Sequence, residues 1–512
     1  MRTRQAFKNA VMGVLLELAV ALSGIVIPRF FTALYGSSVN GLVASINQFI
    51  SYMGLVEAGV SAAGTVALYQ PLARGDRREV SGVVAAAKRF YLRSGFLFLL
   101  LDAALVLAYP FAVKNEITDV SFIRTMILIL SVNGIVDYFI LGKYRMLLTA
   151  DQRLYIISFF QILGIVVTTG VSLLLIRMEV SALLVKGSAA AVYILRTAAV
   201  ILYVRRHYPW LDLREKPLTG KFTQRNAALF HQIVGMICNN TDIILLTLLL
   251  PVKALSEVSV YSLYYLVMNG LYSILFSVSN GLSASFGQVI STGEREVLKK
   301  SFSTYELTMF LLSFLIYTCM GGLMLGFVGL YSADFPDRAL YLRPILAVLF
   351  VLAGLIMSLR LPGLTLIMAA GHYRETKWRA AIEAGINLTV SVALIFRWGI
   401  VGVLLGTCAS YLYRCTDTIL YCARRFVPGS GGRTAARLGR NFLTGGGLVW
   451  LGSLVIPGEM NGWFSWLLWA AGFGIVSAVV FAGVNAAFEP REAKECLRRL
   501  LGVFGKGKIG NA

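Results

Sequence analysis

Residues 154–176 read LYIISFFQILGIVVTTGVSLLLI, twenty-three positions without a charged side chain, and the run stops at Arg177. A helix of that length rises about 35 Å at 1.5 Å per residue, enough to cross a hydrocarbon core of about 30 Å. Runs of this kind recur along the whole chain, separated by short charged or Gly/Pro-containing breaks. The spans are Lys8–Leu34, Val39–Tyr69, Phe90–Val113, Val120–Leu148, Leu154–Ile176 and Val180–Val204. Then come Asn226–Leu250, Val258–Ile290, Phe302–Tyr331, Tyr341–Ala370, Lys377–Phe396 and Ile400–Cys422, with a last pair at Leu438–Ile456 and Trp463–Phe488. In lipid the backbone must satisfy its own hydrogen bonds within each span. The predicted fold class is therefore all-α, a polytopic membrane protein of about fourteen transmembrane helices.

Composition points the same way. With 57% hydrophobic and 14% charged residues in 512 positions, the chain has too little polar surface to close a water-soluble globule. No stretch between the spans is long enough for a separate catalytic domain, so a transporter is expected rather than an enzyme. The net charge of +21 invites a nucleic-acid reading, but its placement argues otherwise. With an inside N-terminus, the outer segments hold only Lys114, Arg124, Arg177, Lys253, Arg338, Arg343 and Arg397. Clusters such as Arg74, Arg77, Arg78, Lys88 and Arg89, and the pair Arg205 and Arg206, fall inside. That asymmetry sets topology: both termini cytoplasmic in the cell membrane, membrane lipids as partners, no nucleic acid. The basic start and Ala19-Val20-Ala21 resemble a signal peptide, but the run carries Glu17 and stays apolar to Phe31, so a retained first helix is expected. The six cysteines have no disulfide or metal spacing; Cys408, Cys415 and Cys422 share one stripe of one helix and read as packing residues. Neither a metal nor a cofactor is expected.

The chain also repeats itself, at an offset near 219 residues. Lys8-Asn9-Ala10 returns as Arg225-Asn226-Ala227, Gly75-Asp76-Arg77-Arg78-Glu79-Val80 as Gly293-Glu294-Arg295-Glu296-Val297, Arg177 as Arg397, and Arg205-Arg206 as Arg424-Arg425. An even number of spans separates each pair, so the halves enter the membrane in the same sense as two parallel six-helix repeats, which typically meet at a substrate site near the midplane. The predicted organisation is an N-lobe at 1–206, a cytoplasmic linker at 207–224, a C-lobe at 225–425, a C-terminal helix pair at 426–490 and a basic tail at 491–512.

A charge near the bilayer centre costs roughly 2.5–3.5 kcal/mol, so intramembrane charges should face a cavity or a partner. The cations within spans are Arg29, Lys186, Arg196, Arg360 and Arg414, and the acids are Glu17, Glu57, Asp102, Asp137, Asp242, Glu383 and Asp417. Helix direction puts Arg29 and Lys186 toward the outer leaflet, Arg360 near the middle, and Arg196 and Arg414 toward the inside. A pyrophosphate crossing lipid needs such successive partners, because an unpaired anion in low dielectric is strongly disfavoured. Arginine suits the task, since its planar fork binds phosphate bidentately. These five are the candidate substrate-binding residues. Arg29 follows Pro28 and Arg360 precedes Pro362, and each proline removes a backbone hydrogen bond and permits a bend. Arg414 and Asp417, three apart, form an alternative intrahelical pair, and Arg196 alternatively snorkels to the interface. Asp242, after Asn239-Asn240-Thr241, is the first candidate for coupling or gating, with Asn240. Glu57 and Glu383, the latter with Asn387 one turn on, follow; structural pairing with the arginines is their alternative role. Gly402 and Gly406 read as a helix contact.

Four stretches resemble the Wzx-type polysaccharide repeat-unit flippases of the multidrug/oligosaccharidyl-lipid/polysaccharide superfamily. They are Pro28-Arg29 through Tyr35-Gly36 to Asn40-Gly41-Leu42; Asn240-Thr241-Asp242; Ser285-Phe286-Gly287; and Gly371-His372-Tyr373-Arg374-Glu375-Thr376 through Glu383, Asn387 and Gly399 to Gly406-Thr407. The resemblance implies two six-helix bundles, alternating access, a cationic central cavity and a cargo of undecaprenyl-pyrophosphate-linked oligosaccharide. By position, Arg29 and Asp242 match charged sites recurrent in that family. The last helix pair resembles that of peptidoglycan-precursor flippases, where it helps form a groove for the lipid tail. Lys186 departs from the pattern, because its repeat counterpart is Gly406. Coupling to H+ or Na+ and a monomeric state are further expectations. The alternatives are a MATE-like drug or cation antiporter, expected to favour acids over cations in its cavity, and a peptidoglycan lipid-precursor flippase.

Overall fold

The structure is a computed structural model, and it describes residues 2–57, 59–113, 116–221, 236–237, 240–458, 460–492 and 494–495. The repeat residues Arg225-Asn226-Ala227, Asn239, the linker's last residues 222–224, the start of the span expected at Asn226–Leu250 and the tail beyond 495 lie outside them. All secondary structure among the described residues is helical. Ten of the described helices, some joined across short breaks, are long and apolar enough to cross a membrane. The chain is an all-α polytopic membrane protein.

In chain order the helices are α1 (Arg2–Met53), α2 (Val60–Arg74), α3 (Arg77–Val113), α4 (Val120–Val136), α5 (Gly142–Ala150), α6 (Leu154–Arg177) and α7 (Ala182–His207). They continue with α8 (Asn240–Leu249), α9 (Ala254–Ser291), α10 (Arg295–Tyr331), α11 (Pro344–Leu359), α12 (Leu361–Ala369), α13 (Tyr373–Trp398), α14 (Ile400–Arg425), α15 (Gly431–Val455) and α16 (Trp463–Phe488). Within α1 the helix is interrupted at Gly36 (φ +81°, ψ 169°), between the expected spans Lys8–Leu34 and Val39–Tyr69, and it passes through Pro28 without ending. The second span is broken by a 3-10 turn at Gly54–Glu57 and by Gly59 (φ +84°), before α2 resumes.

Helix lengths recur at the offset of the sequence matches. Helices α3 and α10, starting at Arg77 and Arg295, have 37 residues each, and α7 and α14 have 26 each. Each 37-residue helix follows a glycine in the left-handed region, Gly75 (φ +72°) and Gly293 (φ +73°). Glycine reaches that conformation without a Cβ clash, which accounts for the glycine at both positions. The fourth span of each half is interrupted in its C-terminal part. Between α4 and α5 lies a π turn, Asp137–Leu141, and between α11 and α12 the break falls at Arg360, next to Pro362 as the sequence predicts.

Backbone contacts divide the chain into two units, Met1–Ser262 with Phe335–Asp337, and Leu263–Asp334 with Arg338–Ala512. Unit 1 holds two apolar clusters, one around Tyr91, Phe98, Tyr138 and Leu147, the other around Phe31, Leu42, Ile46 and Met126. The segment after α7 folds back onto this unit: Tyr208 donates to Asp151 at 2.5 Å, and the Leu218 amide to the Gly82 carbonyl at 3.1 Å. In unit 2, α15 and α16 expose large apolar side chains such as Leu443 and Phe464, as expected of surfaces facing lipid.

Candidate functional site

Unit 1 contains a cavity of about 580 Å³ where the broken second span meets the π turn. Its lining includes Glu57, Asp137, Tyr138, Arg145 and Asn240. The π turn makes this grouping. In a regular α-helix of 3.6 residues per turn, residues eight apart differ by about 80° around the axis. The wider turn takes up that difference and brings Arg145 onto the face of Asp137, with Nη2 2.7 Å from Oδ1. Lys143 donates to the Phe139 and Ile140 carbonyls of the widened turn, at 3.0 and 2.9 Å. From α7, Tyr193 donates its hydroxyl to the same Asp137 oxygen at 2.6 Å, and Arg196 lies over the Tyr193 ring, 4.2 Å from its centre. Gly164 makes room for Arg196, since a Cβ there would lie 3.0 Å from the Arg196 Cδ.

The remaining candidates of unit 1 lie elsewhere. Lys186 sits 4.2 Å over the Phe31 ring and Arg29 5.8 Å from the Phe30 ring, and neither lines the cavity. Asp242 is buried and accepts the Tyr261 hydroxyl at 2.8 Å; its neighbour Thr241 pairs with the Tyr52 hydroxyl at 2.7 Å.

Unit 2 gathers three of the candidates into one ion cluster. Arg360, at the break between α11 and α12, places Nη1 2.5 Å from Glu383 Oε1 on α13. The other Glu383 oxygen faces Arg414 Nε on α14 at 3.6 Å, and Arg414 Nη1 is 3.4 Å from Asp417 Oδ2. Asp417 is closely paired with Arg379. Arg360, Glu383 and Arg414 are buried, whereas the Arg379 side chain is 38% exposed. Both the intrahelical Arg414–Asp417 pair and the pairing of Glu383 with arginines, read from sequence as alternatives, are present. Tyr411 lies beneath the Arg360 guanidinium at 5.1 Å, and Arg360 Nε is buried without a hydrogen-bond partner. Asn387, a turn along α13, donates to Thr407 at 3.1 Å and stands outside the cluster.

Sequence reasoning left out Arg145 and Arg379. Both fall near an end of their expected spans and count there as topological charge, and the eight-residue spacing of Asp137 and Arg145 is not one at which a regular α-helix pairs side chains.

No protein-family model and no curated protein matches the sequence. Solved structures do match. The lipid II flippase MurJ in an inward closed conformation aligns with a TM-score of 0.68 at 12% identity, covering 94% of this chain and 100% of that one. An inward-facing multidrug resistance MATE family transporter of the MOP superfamily aligns at 0.58 and 12% identity, over 81% of this chain and 94% of its own. A Vibrio cholerae MATE transporter aligns at 0.52 and 13%, over 82% and 97%. The chain thus has the fold that these transporters share.

Proposed function

We propose that the chain is a flippase that carries oligosaccharides linked to undecaprenyl pyrophosphate from the inner to the outer leaflet of the cell membrane, by alternating access and without covalent chemistry. One observation carries this reading: three arginines, Arg360, Arg414 and Arg379, share two carboxylates, Glu383 and Asp417, within the membrane-spanning helices of unit 2. Surplus positive charge is expensive in lipid unless it meets an anion. A diphosphate is such an anion, and the guanidinium fork fits its oxygens. In this reading Arg360 and Arg196 hold the phosphates first and Arg29 and Lys186 follow toward the outer leaflet, while Asp242, Glu57 and the Asn240 and Asn387 amides serve coupling or gating with H+ or Na+.

Whole-length alignment to a lipid II flippase favours a second reading, in which the cargo is a peptidoglycan precursor on the same type of carrier. The MATE alignments leave uncovered a further part of the chain about the size of the α15–α16 pair. The drug-antiporter alternative is less favoured, because the cluster of unit 2 carries more cations than acids.

The test is reconstitution in liposomes with undecaprenyl-pyrophosphate-linked glycans, scoring protection of the glycan from an added glycosidase. Transport is expected in the wild type and its loss in Arg29→Ala and Arg360→Ala at equal protein level. Both variants flipping at wild-type rate, or uptake of a cationic dye in place of the glycan, would overturn the reading.

A further inference from the structure

We infer that Glu383 and the four charged groups in line with it form a ladder with two registers, in which Glu383 holds the place of a cargo phosphate on Arg360. The inference rests on the carrier reading above and concerns how the same site takes up and releases an anion.

The order along the ladder is Arg360, Glu383, Arg414, Asp417, Arg379, alternating in sign with a cation at each end. Three cations against two acids leave one surplus positive charge, and the distances say where it rests. Arg360 holds Glu383 at 2.5 Å and Arg379 holds Asp417 closely, while Arg414 has its two acids at 3.6 and 3.4 Å. In this register Arg414 is the cation least firmly held. The second register needs only that Glu383 close onto Arg414, whose Nε already faces the second carboxylate oxygen. The surplus charge then moves to Arg360.

Arg360 is built to receive an anion in that register. It lies at a helix break, its Nε–H is buried and unpartnered, and the aromatic face of Tyr411 steadies the guanidinium. Released from Glu383, its fork offers Nε and an Nη to two oxygens of one phosphate. A buried guanidinium facing only the neutral hydroxyl of Tyr272 and no anion is strongly disfavoured, so the exchange proceeds only when phosphate replaces the carboxylate. A neutral lipid or a cation cannot drive it. Arg414 and Asp417 are positioning residues: they act on cargo only through Glu383.

The signs of three substitutions test this. In purified full-length protein, binding of a short polyprenyl pyrophosphate is measured against its parent alcohol. Glu383→Gln removes the placeholder, and Asp417→Asn leaves Arg414 free to draw Glu383 away from Arg360; each should tighten pyrophosphate binding about tenfold. Arg414→Gln leaves Glu383 on Arg360 alone and should weaken it about tenfold. Charge removals one turn apart on α14 acting in opposite directions would not arise from loss of packing. Asp417→Asn and Arg414→Gln shifting affinity the same way, or Glu383→Gln binding no tighter than wild type, overturns the ladder. If Glu383→Gln does not fold, the α14 pair carries the comparison. A wild type that binds pyrophosphate and alcohol alike would sink the carrier reading instead. The ladder then stands or falls on phenylglyoxal modification of Arg360, read by mass spectrometry. It is expected to be faster in Asp417→Asn and slower in Arg414→Gln, and equal rates count against the ladder.

Discussion

Gly41 of α1 lies directly against Leu255 of α9: a Cβ built on Gly41 would fall 1.8 Å from the Leu255 carbonyl oxygen. Two helix backbones meet here with no side chain between them. The flanking residues form a polar seam, with Ser38 to Ser256 at 3.0 Å, Asn40 to Ser259 at 2.7 Å and Ser45 to Thr247 at 2.7 Å. Close approach through small residues, joined by hydrogen bonds across the contact, is how helices associate where no hydrophobic driving force exists between them.

Gly41→Ala should therefore destabilise the protein by about 3 kcal/mol, the upper end of what overpacking typically costs, because the opposing atom is backbone and cannot rotate aside. Thermal unfolding in detergent measures it. Ser45→Ala, which removes one hydrogen bond and adds no bulk, should cost about 1 kcal/mol. A Gly41→Ala protein as stable as the wild type would show that the helices are not in contact at this point.

Glu116 closes the same helix from above. Its carboxylate accepts the amides of Leu255 at 2.6 Å and Ser256 at 3.2 Å, together with the Ser256 hydroxyl at 3.0 Å, at the first turn of α9. The amides there have no intrahelical acceptor, and a negative charge complements the helix dipole. Glu116→Ala should lower stability by about 1–2 kcal/mol, and Glu116→Gln, which keeps the acceptor without the charge, by less. Denaturation of the two variants side by side separates charge from capping.

The sequence predicted most of the spans because a run of apolar residues long enough to cross lipid has few other fates. It predicted the break at Arg360 because Pro362 cannot complete the hydrogen-bond ladder. The same logic at Pro28 did not hold: α1 runs through it and bends eight residues on, at Gly36. The Asn40-Gly41-Leu42 motif was legible only as a resemblance, and the α1–α9 contact supplies its physical reason. The π turn left no mark in composition or spacing, so the Asp137–Arg145 pair could not be drawn from the chain. Intramembrane charges could be found singly, but whether Arg360 faces a cavity or Glu383 depends on the packing of α13 and α14, which periodicity does not fix.

Arg437 fastens the last two helices to unit 2. Fully buried, it donates from Nη1 to Glu306 at 2.8 Å and to the Ser303 carbonyl at 2.9 Å, from Nη2 to the Ser303 hydroxyl and Glu489, and from Nε to Glu489 at 2.9 and 3.0 Å. Every guanidinium donor is used. Arg437→Met would leave the buried Glu306 without its paired cation and Glu489 with Arg440 alone, and should cost about 3–5 kcal/mol. Glu489, just past the end of α16, adds a pH signature. Burial alone would raise its carboxyl pKa, but the hydrogen bonds and charges of Arg437 and Arg440 outweigh burial and hold it below the usual carboxylate range. The depressed group contributes stability that is present above its unfolded value of about 4.3 and is lost as pH falls through the folded value. Thermal midpoints taken from pH 7 down to pH 3 should fall less steeply in Glu489→Gln than in wild type, from a lower starting point. Parallel curves would mean that the carboxylate gains nothing from its arginines.

The cavity of unit 1 yields the last expectation. Ala62 lines it and is solvent-exposed, so a larger side chain there enters open space rather than a packed interior. Ala62→Trp should leave the thermal midpoint near that of the wild type while lowering transport in liposomes by more than about tenfold, the scale of about 1.4 kcal/mol on the rate-limiting step. Arg145→Ala works differently. It leaves Asp137 with the Tyr193 hydroxyl and without its cation, so it should reduce stability by about 1 kcal/mol, discounted for the partial exposure of the pair. Its effect on transport should be partly restored by Asp137→Asn in the same chain, since removing the stranded acid removes the uncompensated charge. A cavity that only reflects loose packing gives the reverse pattern: Ala62→Trp neutral for transport, and Arg145→Ala felt in stability alone.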